Sequence, residues 1–235
     1  MNQVIKKLMI KSRQDGQQHQ CDIVVLTTKD WQQVAALQQA VVEQLPEPEL
    51  FFPLEIGEIQ EVLSDKGITL GAVVNGSLIG FSAILFPGLE KDNIGRELGL
   101  SENELTKVGY LKVSNVQPEF RGNSLQKKLR LCIGEIAAKC RDWEYVVSTV
   151  SPKNYASIVG IFSLGLVIVN LQPKYQNYWR YTFYQNRVAP LKVDRKTAEI
   201  VSCTDIERQV SLLQQGYYGY EFLKEHRCIV FGKGT

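Results

Sequence analysis

Paired cysteines, an excess of charge of one sign, histidine and long apolar runs are all scarce in this sequence. Lys and Arg total 27 and Asp and Glu total 25, a net charge of +2. That balance excludes a strongly basic nucleic-acid binder and an acidic solvating protein on bulk charge. The five cysteines, Cys21, Cys132, Cys140, Cys203 and Cys228, are odd in number and widely spread, and none forms a CxxC. A zinc site and a disulfide framework are therefore not expected, and the thiols read as reduced packing residues. The two histidines, His19 and His226, lie in the terminal regions without a Ser, Cys or Asp pattern beside them. A hydrolytic triad has no support. The longest apolar run, Ile158 to Val169, is interrupted by Gly160, Ser163 and Gly165, and falls short of the ~20 residues a membrane span needs. Leu8, Met9 and Ile10 between Lys7 and Lys11 are too few for a secretory core. These absences predict a soluble, cytoplasmic chain with no metal, nucleic-acid or membrane partner.

What is present is enough apolar sequence for a sizeable core. The chain has 235 residues, 44% hydrophobic and 22% charged. A chain of this length buries roughly 70–75% of its unfolded surface and needs no disulfide or metal to fold. Residues 1–20 are polar and glutamine-rich and read as a flexible lead-in. Cys21 to Thr28 reads as a strand. Thr28 or Asp30 can cap a helix with Val34, Leu37, Val41, Val42 and Leu45 at helical spacing, stopped by Pro46 and Pro48. A second helix is expected over 56–65. The Asn75-Gly76 pair between two apolar runs predicts a hairpin over 69–86. Residues 87–101 read as a loop and 105–116 as a strand. A helix then carries Leu125, Leu129, Cys132, Ile133 and Ile136 on one face. Strand 145–150, helix 154–164 and strands 166–171 and 178–184 follow. The rest holds a helix near 205–214 and a closing strand, 228–231, while Tyr217, Tyr218 and Tyr220 read as a turn with packing rings. This order predicts a mixed α/β sheet around one core.

The informative stretch is Val113 to Leu129: a strand, a short loop with Arg121-Gly122, and the first turn of an amphipathic helix. A helix N-terminus offers free N–H groups and the positive end of the dipole, and Arg121 adds a charge that can pair with phosphate. An Arg-Gly pair is equally an ordinary turn. A second segment bears on the choice: Asn154 opens a helix directly after a strand, and Gly165-Leu166 closes it.

Together these segments resemble the GNAT superfamily, the acetyl-CoA-dependent N-acetyltransferases. The family phrase apolar-x-Pro-x-x-Arg-Gly is matched by Val116-Gln-Pro-Glu-Phe-Arg-Gly122. The helix that starts on Asn and closes eleven residues later on Gly is matched by Asn154 and Gly165. The resemblance is strongest over 105–170 and extends over about 21–185. It implies a mainly antiparallel sheet, flanked by helices and splayed at the cofactor site. It also implies an acyltransferase domain over 21–189, with 190–235 as a C-terminal extension packed on it. Acetyl-CoA is the implied cosubstrate. Ser114, Asn115 and Val116 would meet its acetyl and pantetheine groups, with a backbone N–H near Asn115 or Val116 polarising the thioester. Arg121, Gly122, Asn123, Ser124, Leu125 and Gln126 would wrap the pyrophosphate, and Asn154 would contact the pantetheine arm. A primary amine of a small molecule or peptide would attack directly, in a monomer or homodimer.

The departures from the family pattern are specific. Both later glycines of the phosphate loop are replaced, by Ser124 and Gln126. The tyrosine that often serves as general acid is replaced by Ile161. No residue can be assigned as the base: Glu55, Glu58, Glu119, Tyr110 and Ser114 each read first as ordinary surface or packing residues. The Lys127, Lys128 and Arg130 run reads as a solvated helix face or as a contact to the 3′-phosphate. The cluster from Tyr175 to Tyr184 reads as packing or as an acceptor wall. These losses keep an alternative open, an acyl-CoA-binding or sensing protein without catalysis.

Overall fold

The computed structural model describes residues 3–235. In chain order the elements are β1 (Val4–Lys11), β2 (Gln18–Leu26), α1 (Trp31–Val42), α2 (Ile56–Val62), β3 (Gly67–Val74), β4 (Ser77–Leu85), α3 (Glu102–Leu105) and β5 (Val108–Val116). There follow α4 (Leu125–Cys140), β6 (Tyr145–Val150), α5 (Tyr155–Phe162), β7 (Val167–Lys174), β8 (Tyr178–Asn186), β9 (Val193–Ser202), α6 (Ile206–Gln214), β10 (Tyr217–Leu223) and β11 (Cys228–Gly234). The result is a mixed, mostly antiparallel α/β fold. The chain forms two compact units, the first made of residues 3–46, 53–87 and 111–143, the second of 47–52, 88–110 and 144–235. Strand β5 gives its first three residues to the second unit and the rest to the first.

In the first unit the strand order is β1-β2-β3-β4-β5. The Asn75-Gly76 turn has φ of +48° and +79°. Both central residues are left-handed, as the tightest hairpin turn requires. Asp30 ties the entry of α1 by accepting from the Thr27 N–H at 2.8 Å and its hydroxyl at 3.1 Å. Helix α2 opens on a Glu55/Glu58 capping box. Helix α4 packs on β3 and β4, burying Leu125, Leu129, Ile133 and Ala137. The segment expected as a flexible lead-in is built differently at 4–11. Ile5, Leu8 and Ile10 are the shielded positions of β1, which pairs antiparallel with β2 from Val4↔Val24 to Lys11↔Gln18. Lys6, Lys7 and Lys11 dilute the apolar residues of this strand.

In the second unit the order is β5-β6-β8-β7-β10-β11-β9. The parallel pairing of β5 with β6 covers Val108↔Tyr145, Gly109↔Val146 and Tyr110↔Val147. The strand expected from Leu105 begins later, because Ser101 and Glu104 form a capping box that builds the single turn of α3. The stretch with Tyr217, Tyr218 and Tyr220 is strand β10, not a turn. It meets β7 at Gly219↔Ile168, where a Cβ on Gly219 would stand 2.9 Å from Ile229 Cγ2 and 3.1 Å from Ile168 Cβ. Glycine is what allows that approach. Among the described residues no helix is long and apolar enough to cross a membrane.

Candidate functional site

Nine of the ten residues singled out in the sequence lie on one path of the first unit, from the end of β5 to the first turn of α4. The Ser114 Oγ and Asn115 Nδ2 atoms are buried and have no hydrogen-bond partner. Gly80 lets the backbone come close here, since a Cβ on it would stand 3.1 Å from Asn115 O and from Val116 Cγ2. After a short turn at Pro118–Phe120, Arg121 Nε donates to Val116 O at 3.3 Å. Gly122 has φ of +90°, and Ser124 takes a left-handed conformation, φ +56°, immediately before α4. Leu125 is buried and anchors the first turn. Gln126 lies in the helix, but its Nε2 reaches back to Ser114 O at 2.9 Å. Ser124 makes no side-chain cap, so the first N–H groups of this 16-residue helix face the loop without intrahelical acceptors.

The turn between β1 and β2 completes this loop, which the sequence did not reveal. Asn123 grips the Lys11 backbone in both directions: Lys11 N–H donates to its Oδ1 at 2.8 Å, and its Nδ2 donates to Lys11 O at 2.8 Å. Buried Ser12 donates to Glu119 Oε1 at 2.7 Å, and Arg13 N–H donates to Glu119 O at 2.8 Å. Glu119, one candidate base, is thus a tie for the turn. Lys11, Ser12, Arg13, Gly16, Arg121, Gly122 and Asn123 line a groove of about 450 Å³. Burial first, and then the charge of Arg13, lowers the pKa of Arg121. Among the described residues neither guanidinium has an ion-pair partner. Two like charges at one groove give it a positive potential. Arg130 does not lie on a solvated face: it is buried, and burial lowers its pKa to about 10.

Asn154 belongs to the second unit. Its Oδ1 accepts from Ser157 N–H and its Nδ2 donates to Leu50 O, both at 3.1 Å. It therefore caps α5 and retains one Nδ2 hydrogen. Ile161 is fully buried in α5.

Register places the polar groups of β8 on two faces. Tyr181 and Phe183 point to the face covered by α5 and α6. Phe162 packs edge-on against Phe183, with centroids 5.1 Å apart, and the Tyr181 hydroxyl donates to Gln209 Oε1 at 2.6 Å. Arg180, Thr182 and Tyr184 point to the other face, with Thr149 directly opposite Thr182. On that face the Tyr110 hydroxyl lies 2.8 Å from Thr149 Oγ1 and 2.9 Å from the Tyr175 hydroxyl. Tyr175 stands in the β7–β8 turn, where three successive residues, Tyr175, Gln176 and Asn177, have φ of +42°, +59° and +66°. Its ring stacks on Phe52 at 4.8 Å. So the late aromatic cluster divides: Tyr181 and Phe183 are core, while Tyr175 builds a polar cluster.

No family model matches this sequence, and no curated protein matches it. Solved structures do. The acetyl-CoA complex of Arabidopsis thaliana NAA60 superposes with a TM-score of 0.58 at 16% identity, over 72% of this chain and 99% of that one. The fold is that of the GNAT acetyltransferases. An N-acetyltransferase from Staphylococcus aureus Mu50 superposes at 0.54 and 16% identity, over 72% and 99% of the two chains. A GNAT-family acetyltransferase from Streptococcus pneumoniae superposes at 0.53 and 18%, over 71% and 99%. The GNAT fold expected from the phrase at 116–122 and the helix at 154–165 is therefore present. Lys11, Arg13 and Arg180 are not among the expected site residues, and Tyr175 is expected only as a member of the aromatic cluster. Lys11 and Arg13 fall in a polar stretch without a motif, and only the hairpin brings them to the loop.

Proposed function

We propose that this chain is an N-acyltransferase that transfers the acetyl group of acetyl-CoA to a primary amine by direct attack in a ternary complex. The observation that carries the reading is the Arg13–Arg121 groove at the head of α4. Its donors suit a pyrophosphate: two guanidinium forks, Lys11, and the N–H groups of a helix terminus. The unpartnered Ser114 Oγ and Asn115 Nδ2 suit the amide groups of a pantetheine arm. The solved GNAT structures, one of them with acetyl-CoA, lend this reading support. When bound, the thioester would supply the acyl carbon: the neutral amine would add to its carbonyl to form the C–N bond, and the C–S bond would then break to release CoA as the thiol, which takes up the proton the amine gives up. Arg13, Arg121 and the loop hold the phosphates. A backbone N–H at Asn115 or Val116 stabilises the developing oxyanion. The Tyr110, Tyr175 and Thr149 hydroxyls form a chain that can carry a proton, a role Ile161 cannot fill.

The test is a calorimetric titration with acetyl-CoA, using ATP as control, followed by thiol release over a panel of amines. Binding of acetyl-CoA but not ATP, with thiol released by an amine, is expected. Buried Ile161 favours a second reading, acyl-CoA binding without catalysis. Tight binding with no thiol release from any amine would replace the first reading by that one, and no binding would overturn both.

A further inference from the structure

On the polar face of the second unit lies a buried cation that has no ion-pair partner among the described residues. Arg180 is 3% exposed. Its Nη1 donates to Trp179 O at 3.0 Å, its carbon centre stands 5.8 Å from the Tyr178 ring, and its Nη2 is buried with no partner. The Thr182 hydroxyl, two residues on and on the same face, is fully buried and also without a partner. A buried guanidinium with an idle donor is costly unless an acceptor of negative charge completes it. Among the described residues the Glu49 carboxylate acts on Arg180, but Glu49 is held by Lys153, which also pairs with Glu47 at 3.0 Å. The other groups acting on it are the hydroxyls of Tyr175, Tyr110 and Tyr178. Two of these belong to the hydroxyl chain assigned to proton movement. The cation and that chain therefore share one face of the second unit.

We propose that the acceptor is a small primary amine that also carries a carboxylate, and that Arg180 and Thr182 bind that carboxylate as specificity-determining residues. This rests on the acyltransferase reading above. Arg180 Nη2 and the Thr182 hydroxyl donate to the carboxylate oxygens, and the tyrosine hydroxyls meet the amine end. A charge-assisted pair at a desolvated site discriminates strongly against a neutral amide, because the amide leaves the guanidinium unmatched.

The experiment measures kcat/KM for thiol release with α-amino acids, diamino acids and their carboxamides, beside primary amines that lack a carboxylate. Acetyl-CoA binding is measured separately by calorimetry. At least one amino acid should exceed its own carboxamide by about 30-fold or more, the scale of a lost buried charge partner. Arg180→Met should abolish the ratio through KM, and Arg180→Lys should restore part of it. Thr182→Val covers the case in which Arg180 variants fail to fold. Its hydroxyl bonds nothing in the protein, so a merely structural role predicts unchanged kinetics, whereas carboxylate binding predicts a KM raised for the amino acid and unchanged for the carboxamide. Equal rates for acid and amide, a carboxylate-free amine as the best acceptor, or no amino acid turned over would overturn the inference. Any of these with acetyl-CoA still bound leaves the cofactor reading standing; loss of acetyl-CoA binding itself overturns that reading as well.

Discussion

Arg13 carries no motif in the sequence, yet it lines the groove beside Arg121. Removing it leaves Arg121 with its loop but without the second fork. Arg13→Ala should weaken acetyl-CoA binding by about 10-fold or more, since a hydrogen bond to a charged group contributes about 1.5–3 kcal/mol, with little change in melting temperature. An affinity within twofold of the parent would remove Arg13 from the groove's function. Ser124 makes a contrasting case. A left-handed serine costs on the order of 1 kcal/mol that glycine does not, and its φ is +56°. Ser124→Gly should raise the melting temperature by roughly 2–4 °C. A fall would show that its hydroxyl is doing something glycine cannot. The sequence revealed Arg121 because a motif frames it. Arg13 and Arg180 carry no motif, since their meaning lies in what surrounds them: a turn that delivers one, a strand face that buries the other.

At the scale of elements, helices α1, α4, α5 and α6 were legible from apolar spacing and caps, and the β3–β4 hairpin from Asn-Gly. Three strands were not. In β1 the apolar positions are diluted by three lysines, β9 carries exposed Arg195 and Lys196 and is mostly exposed or half-buried, and β10 is masked by the glycines around its tyrosines. Such strands are stabilised mainly by their neighbours, which a local pattern does not display. The β10–β7 contact tests this. Gly219→Val places a branched side chain where even a Cβ is 2.9 Å from Ile229. Overpacking of this kind costs roughly 1–3 kcal/mol, so urea unfolding should show a lowered midpoint. An unchanged midpoint would mean that the two strands part without consequence.

At the scale of the whole molecule, several buried acids set the response to alkali. Burial raises the thiols of Cys21 and Cys203 to about 11 and the Tyr184 hydroxyl to about 12. In the unfolded chain a thiol loses its proton near its ordinary value of about 8.5. Above that pH the folded state holds more protons than the unfolded one, and stability falls as pH rises towards 11. Arg130, lowered to about 10, acts in the opposite sense only above that value. Denaturant unfolding should therefore show lower stability at pH 10 than at pH 7.5. Alkylation at pH 8 should label exposed Cys140 well before Cys21 or Cys203. Equal labelling of all three would contradict the burial.

The bidentate tie between Asn123 and Lys11 couples the first strand to the loop ahead of α4. Linkage is reciprocal: whatever tightens the loop tightens β1 by the same free energy. An anion seated at Arg13 and Arg121 should therefore slow amide hydrogen exchange along β1, of which it meets only the last residue, Lys11. The strand nearest the chain's beginning would then report, from a distance, whether the loop is occupied.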